Sequence, residues 1–228
     1  MRVSVGFTPA EQVAAPVGVV IDVLRATSTI CQALATGWGR VVCVGEIDDA
    51  RALAGPTVAL GGERHNVRIE GFDFGNSPRE FVDAAPTETL ILTTTNGTRA
   101  LLAAAERCET VLVASLLNCD AVVGALREAG EDVAILCAGV EGDFAIDDAY
   151  VAGRIAAALG GTNDDSAIGA VRLAAAFTDA EAGISGGVSA ANIRNAGLDE
   201  DIPWCARESV LELVPRIVSR EERSVVVA

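Results

Sequence analysis

A three-layer α/β fold, with a mainly parallel sheet and helices on both of its faces, is what this 228-residue sequence predicts. Four short apolar runs point to it first: VGVVIDVLRATST (17–29), TLILTTTNGTRAL (89–101), TVLVASLLNCDAV (110–122) and DVAILCAGVEGDFAIDD (132–148). Each is a nearly continuous hydrophobic stretch of strand length, as expected of a strand covered on both sides, and each passes through a polar cluster into helical text. Between them, strand-like and helix-like segments alternate, which favours parallel strands joined by crossover helices. Polar residues also recur at the expected strand ends: Asp22, Arg25, Thr95, Asn96, Ser115, Asn118, Cys137 and Asp147. Open α/β sheets gather ligand sites at that edge, so these residues are expected to be neighbours in space.

Taken in order, strands are expected near 2–6 (RVSVG, alternating), 17–22, 40–44 (RVVCV), 57–60, 89–94, 110–115 and 132–137. Helices are expected near 27–36, 47–54, 78–84, 97–106, 118–129 and 147–159. After Leu159 the text changes to GGTNDD, then to Ala-rich helical sequence reaching Phe177, a Gly/Ser segment GISGGVS (183–189) that resembles a linker, and a helix over about 206–218. The last third therefore reads as helical packing around the sheet. No internal repeat is present, and the whole of 1–228 is expected to form a single domain.

Composition excludes several classes. Hydrophobic residues make up 50% and mean hydropathy is +0.38, yet no stretch approaches the roughly 20 uninterrupted apolar residues of a membrane span. The N-terminus alternates like a strand and lacks the features of a secretory signal, so no membrane association and a cytoplasmic location are expected. Six cysteines (31, 43, 108, 119, 137 and 205) lie mostly in apolar runs without a CxxC pair, which fits buried thiols in a reducing compartment. Basic residues number 17, all of them Arg, against 32 acidic ones, for a net charge of −15. No basic run could neutralise a phosphate backbone, so nucleic acid is not an expected partner. Without Lys, neither a P-loop lysine nor a pyridoxal-phosphate Schiff base can be built.

The richest stretch for chemistry is GGERHNVRIEGFDFGNSP (61–78), read as a long polar loop that carries Glu63, Arg64, His65, Asn76 and Ser77 and is kept ordered by Phe72 and Phe74. Asp22, Glu63 and the Asp147/Asp148 pair are the candidate metal ligands, since magnesium prefers a few carboxylates and retains waters. The alternative for Asp22, Asp147 and Asp148 is ordinary capping of helix starts. In TTTNGT, the hydroxyls of Thr94 and Thr95 and the backbone N–H groups of Asn96, Gly97 and Thr98 could cradle a phosphate at a helix start; taken alone, a Thr/Asn cap is the commoner explanation of such a segment. Arg25 and Arg64 supply planar forks for acidic groups, while Arg99 reads as an exposed helix position. Cys137 reads as a packed strand-end thiol, because the position six residues on, where a cysteine phosphatase needs Arg, holds Asp143. His65, the only histidine, either donates to a ligand or is simply solvated.

DVLRATST, GGERHNVRIEGFDFGNSP, TTTNGTRAL, SLLN, CAGVEGDFAIDDAYVAG and DIPWCARE occur in the order characteristic of the 2-phosphosulfolactate phosphatase family, which the chain resembles over most of its length. That resemblance implies a Mg²⁺-dependent phosphatase converting (2R)-2-phospho-3-sulfolactate, or a related 2-phospho-hydroxyacid, to the hydroxyacid and phosphate, a step towards coenzyme M. The expected roles are then Asp22, Arg25 and Glu63 in catalysis; Arg64, Asn76, Ser77, Thr95, Asn96, Gly97, Thr98 and Asn118 in holding a small anionic phosphoester; and Asp22, Glu63, Asp147 and Asp148 on the metal. Attack by a metal-activated water is the favoured mechanism, with an aspartyl-phosphate at Asp22 as its rival. A homodimer is the assembly kept in view. A non-catalytic module that binds an anionic metabolite is the alternative from another class.

Overall fold

The apolar run Val17–Ile21 forms strand β2 with all five residues buried, because the sheet that holds it is covered on both faces. The computed structural model describes residues 1–228. In chain order its elements are β1 (Arg2–Gly6), β2, α1 (Ala26–Ala35), β3 (Arg40–Val44), α2 (Ile47–Ala52), β4 (Val58–Arg64), β5 (Val67–Arg68), β6 (Thr89–Thr93), α3 (Gly97–Arg107), β7 (Thr110–Ala114), α4 (Cys119–Ala129), β8 (Val133–Cys137) and α5 (Ile146–Leu159). There follow β9 (Thr162–Asn163), α6 (Asp165–Ala174), α7 (Ala180–Ser185), α8 (Val188–Asn195), α9 (Asp201–Cys205), β10 (Ile217–Arg220) and β11 (Ser224–Val227).

The predicted α/β class and the mainly parallel pairing hold, with the strands divided between two sheets. One is five-stranded in the order β7-β2-β8-β1-β9, and all of its pairs are parallel. The other is six-stranded in the order β10-β11-β3-β6-β4-β5, parallel at β3/β6/β4 and antiparallel at both ends. Alternation along each strand accounts for the layering. Val19 and Ile21 of β2 belong to a core with residues of α4 to α9, whereas Val20 faces the opposite way. On that second side Ile30, Cys31 and Ala33 of α1 and Ala100, Leu101 and Ala104 of α3 pack against both Val113 and Leu136 of the first sheet and Val41, Cys43, Leu90 and Leu92 of the second. Helices α1 and α3 thus lie between the sheets. A small cluster of Val44, Ala50, Ile69, Phe72 and Ile91 covers the outer face of the second sheet.

Four expectations are corrected. Residues 206–218 are not a helix: Pro215 would remove a backbone donor from its interior, and Ser209 sits at φ 52°. The segment instead runs in extended fashion beside the turn after β7, with Ser209 N–H donating to Leu116 O and Leu211 N–H to Leu117 O at 2.8 Å, and ends in the β10–β11 hairpin. The supposed polar loop at 61–78 begins as strand: β4 runs to Arg64 and turns back into β5 through His65 and Asn66, at φ 51° and 63°, the two left-handed residues that a tight hairpin requires. GISGGVS ends α7, turns at Gly186 and Gly187 and begins α8 rather than forming a linker, and Pro78–Phe81 makes only a 3₁₀ turn where a helix over 78–84 was expected. No helix is long and apolar enough to cross a membrane.

Candidate active site

The carboxyl ends of β2 and β8 in one sheet meet those of β4 and β6 in the other, and the starts of α1, α3 and α5 lie among them. A cavity of about 330 Å³ opens there. Asp22 and Arg25 line it from the β2–α1 turn, Glu63, His65 and Asn66 from the β4–β5 hairpin, Thr95 and Asn96 from the β6–α3 turn, and Glu141 from the β8–α5 loop. The remaining wall, Ser189, Asn192 and Asn195, comes from α8. Sequence reasoning missed that wall, because nothing in a short Ala/Asn-rich helix marks it as site-forming.

Asp22 is set by local geometry. Its backbone N–H donates to Thr27 Oγ1 at 3.1 Å, Thr27 Oγ1 donates back to Asp22 O at 2.8 Å, and its Oδ1 accepts from Ala26 N–H at 3.2 Å. The capping role therefore exists, but it occupies one oxygen; Oδ2 points towards Gly97 at the start of α3. Burial pushes the Asp22 carboxyl up to about 7, against the lowering effect of the Ala26 bond, and the charges of Asp147 and Glu63 add to the rise.

Arg25 is almost fully buried. Its Nη1 donates to Asp201 Oδ2 at 2.7 Å and its Nη2 to Asn66 Oδ1 at 3.2 Å. Its Nε has no partner, and neither has Oδ1 of the neighbouring cavity residue Asn76. Buried polar atoms are almost always satisfied, so two unpartnered ones on residues that line the cavity are donor and acceptor capacity the protein itself does not use. Asp201, from α9, also accepts from Ser77 Oγ at 2.6 Å.

Glu63 joins two walls. Its Oε1 accepts from Thr95 N–H at 2.8 Å, and its Oε2 accepts from Asn66 N–H at 2.7 Å and Thr95 Oγ1 at 3.3 Å. Asn96 Oδ1 accepts from Glu141 N–H at 3.0 Å. With the oxygens of Asn66 and Asn96 taken by protein donors, their amide N–H groups are the ends left to meet a ligand.

At the start of α5, Asp147 Oδ1 accepts from Ser189 Oγ at 3.0 Å, and Asp148 accepts from Val23 N–H at 2.9 Å and Gly139 N–H at 3.0 Å. Burial raises Asp147 to about 6 and Asp148 well above its ordinary value, the charges of Asp147 and Asp22 adding to the latter. No three His, Cys, Asp or Glu side chains form a closed metal cage. Magnesium does not need one: it binds through one or two carboxylates and completes its shell with water and phosphate oxygens. The donor set fits that habit. The cavity lining holds the carboxylates of Asp22, Glu63 and Glu141 against one guanidinium that is already paired with Asp201, a donor set that suits a cation.

Several expected site residues stand elsewhere. Arg64 turns its guanidinium away from the cavity onto Glu63 O (2.7 Å), Gly45 O (3.0 Å) and Thr93 Oγ1 (3.0 Å). Asn118 is fully buried, its Oδ1 accepting from Ser115 N–H and its Nδ2 donating to Val113 O and Leu213 O, so it pins the extended C-terminal segment to the end of β7. Thr98 is locked to Thr94, its N–H donating to Thr94 Oγ1 and its own hydroxyl to Thr94 O, both at 3.1 Å; the cap explanation holds for that pair, leaving Thr95 and Asn96 as the cavity residues. Gly97 supports Asp22 from behind, Ser77 acts on Asp201, and both Asp148 oxygens are spent on backbone. Cys137 is buried, and burial pushes its thiol well up, with Asp148 and Asp147 adding to the effect. His65 is 78% exposed at the cavity mouth, its Nδ1 3.4 Å from Glu141 Oε1. Arg99 pairs on the surface with Glu46 at 3.0 Å.

A family model described as 2-phosphosulpholactate phosphatase matches residues 4–220. A probable 2-phosphosulfolactate phosphatase of Thermus thermophilus is 37% identical over 227 residues, covering 96% of this chain and 96% of that protein. Proteins of the same description from Clostridium acetobutylicum (37% identical; 92% and 93% covered) and Symbiobacterium thermophilum (38%; 92% and 95%) are similar over nearly the same span.

Proposed function

The chain belongs to the 2-phosphosulpholactate phosphatase family, and on that premise we propose that it is a phosphoric monoester hydrolase that converts 2-phospho-3-sulfolactate, or a closely related 2-phospho-hydroxyacid, to the hydroxyacid and inorganic phosphate. The observation that carries the reading is the meeting, in one cavity, of a carboxylate with a free oxygen, Asp22 Oδ2, and a buried guanidinium whose Nε is unpartnered. A phosphoryl group needs both: an acceptor for the proton of the attacking water and fixed donors for its oxygens.

In this reading Arg25 Nε–H and the Asn96 amide hold phosphoryl oxygens, and the start of α3 lends its dipole to the same group. Asp22 orients the attacking water and takes its proton. Glu63 touches no reacting atom; by holding Thr95 and Asn66 together it keeps the hairpin at the right distance from the β6–α3 turn. Asp22 and Asp147 would hold Mg²⁺, which supplies charge neutralisation for the phosphoryl oxygens when bound. The remaining acid group of the substrate has the amide wall of Asn66, Asn192 and Asn195 to meet it. Six buried free thiols suit a reducing, cytoplasmic setting.

The test is a phosphate-release screen of the purified protein over 2-phospho-hydroxyacids and common sugar phosphates, with and without Mg²⁺. Mg²⁺-dependent turnover selective for the first group is expected. Binding of those compounds without release of phosphate would make the chain a binding module instead.

A further inference from the structure

Asp201 opens the DIPWCARE motif, which carried part of the family resemblance without any role assigned to its residues, and it lies in a five-residue helix of the C-terminal third. Yet it is 1% exposed, and both of its oxygens are committed: Oδ2 to Arg25 Nη1 at 2.7 Å and Oδ1 to Ser77 Oγ at 2.6 Å. Arg25 has three N–H-bearing nitrogens. Asp201 holds one, the Asn66 amide oxygen holds a second, and the one left over, Nε, is buried without a partner on a residue that lines the cavity. A guanidinium is a rigid plane, so two anchored nitrogens fix the direction of the third. Of the two anchors, the Asp201 bond is the shorter and the charge-assisted one, and it comes from a buried group that makes no contact with the cavity.

We propose that Asp201 is a positioning residue: seated by Ser77, it aims Arg25 so that Nε–H meets an oxygen of the bound phosphoryl group. The inference rests on the reading of Arg25 as an anion-holding residue. Asp201 touches neither substrate nor metal; its whole effect on binding passes through Arg25.

A double-mutant cycle on the full chain with Mg²⁺ present tests this, with the dissociation constant of inorganic phosphate measured by calorimetry and folding checked by circular dichroism. Arg25→Ala is expected to weaken phosphate by about tenfold or more, in the range of a lost charge-assisted bond, and Asp201→Ala to approach the same loss. Arg25→Ala/Asp201→Ala is expected to match Arg25→Ala alone, because Asp201 has nothing left to aim. Asp201→Asn retains an oxygen for Nη1, while Ser77 Oγ can turn to accept from the amide, so phosphate affinity should stay within about threefold. Unchanged affinity in folded Asp201→Ala, a full additional loss in the double variant, or a loss above about tenfold in folded Asp201→Asn would each overturn the proposal. If Asp201→Ala does not fold, the double variant and Asp201→Asn still decide it. If Arg25→Ala leaves phosphate binding intact, the reading of Arg25 itself fails, a result distinct from failure of the Asp201 arm.

Discussion

Gly97 packs directly against Asp22: a β-carbon at position 97 would lie 2.5 Å from Asp22 Oδ2 and 2.4 Å from Ala26 Cβ. The starts of α1 and α3 approach this closely only because position 97 carries no side chain, and the approach brings the α3 start to the free oxygen of Asp22. Gly97→Ala should therefore displace Asp22 and cost about 1–3 kcal/mol through overpacking. Turnover should fall by at least about an order of magnitude, since a small misplacement of a reacting group is expensive. A melting curve and phosphate-release rates check both, and a variant that is wild-type in each would show that the contact relaxes freely.

Asp22→Asn separates catalysis from stability. The amide oxygen can still accept from Ala26 N–H, and the variant removes a buried charge crowded by Asp147 and Glu63. The metal-free protein should be as stable as the starting one or more so, while turnover drops by about a hundredfold or more with a ligand and base removed. Excess EDTA should abolish wild-type activity and added Mg²⁺ restore it. Full activity in EDTA would remove the metal from the mechanism.

Glu63→Gln should behave differently, losing both. Glu63 satisfies two backbone N–H groups, of Thr95 and Asn66, on separate oxygens, and glutamine offers one acceptor. An orphaned N–H in this partly buried spot costs about 1 kcal/mol, so a lower denaturation midpoint should accompany reduced kcat/KM. Reduced activity at unchanged stability would instead give Glu63 a direct chemical role.

Arg64→Ala should weaken the fold around the hairpin without altering substrate choice, because its bonds go to Glu63 O, Gly45 O and Thr93 Oγ1. The ratio of kcat/KM for 2-phosphosulfolactate over p-nitrophenyl phosphate should stay within about threefold of wild type. A selective loss on the first substrate would return Arg64 to the cavity.

The thiols should be inert in the native state. Cys31, Cys43 and Cys205 are pushed up to about 12 by burial and Cys119 to about 11, while Cys137 lies well above its ordinary value. Little thiolate exists at neutral pH, and little surface is open to attack. A thiol reagent at pH 8 should titrate all six groups only after denaturation. Cys137→Ser should keep at least about a tenth of wild-type kcat, whereas an essential nucleophile would cost several orders of magnitude. Fast modification of a native thiol, coupled to loss of activity, would contradict the packed assignment.

Hydrophobic period made the alternating strands and helices legible up to Leu159, apart from the β4–β5 hairpin and the 3₁₀ turn at Pro78–Phe81, and with them the polar residues that stand at strand ends. Asp22, Arg25, Thr95 and Asn96 were placed at strand ends from local text alone, because a strand's last residue and a helix's first are local properties, whereas Glu63 was read in a loop and stands in β4. Asn118 and Thr98 carried the same local signature and proved to be fasteners: a cap and a ligand-binding turn use identical residues, and only the direction of the neighbouring chain tells them apart. The helix expected over 206–218 failed because that segment takes its form from hydrogen bonds to Leu116 and Leu117, about 90 residues away in sequence.

The sequence by itself determined the α/β class, the burial of β2, β6, β7 and β8 on both faces, the absence of lysine, and the edge at which acidic and amide side chains collect. All of these follow from composition and from periods of two and 3.6 residues, which report how each segment meets its own surroundings. Tertiary structure alone decided that the strands form two sheets with α1 and α3 between them, that Arg64 turns outward while Arg25 turns in, that α8 walls the cavity and that Asp201 pairs with Arg25. Those outcomes depend on pairings across large separations in sequence, 176 residues in the case of Arg25 and Asp201. Such pairings are selected by the packing of whole faces, and a single burial pattern is compatible with many of them.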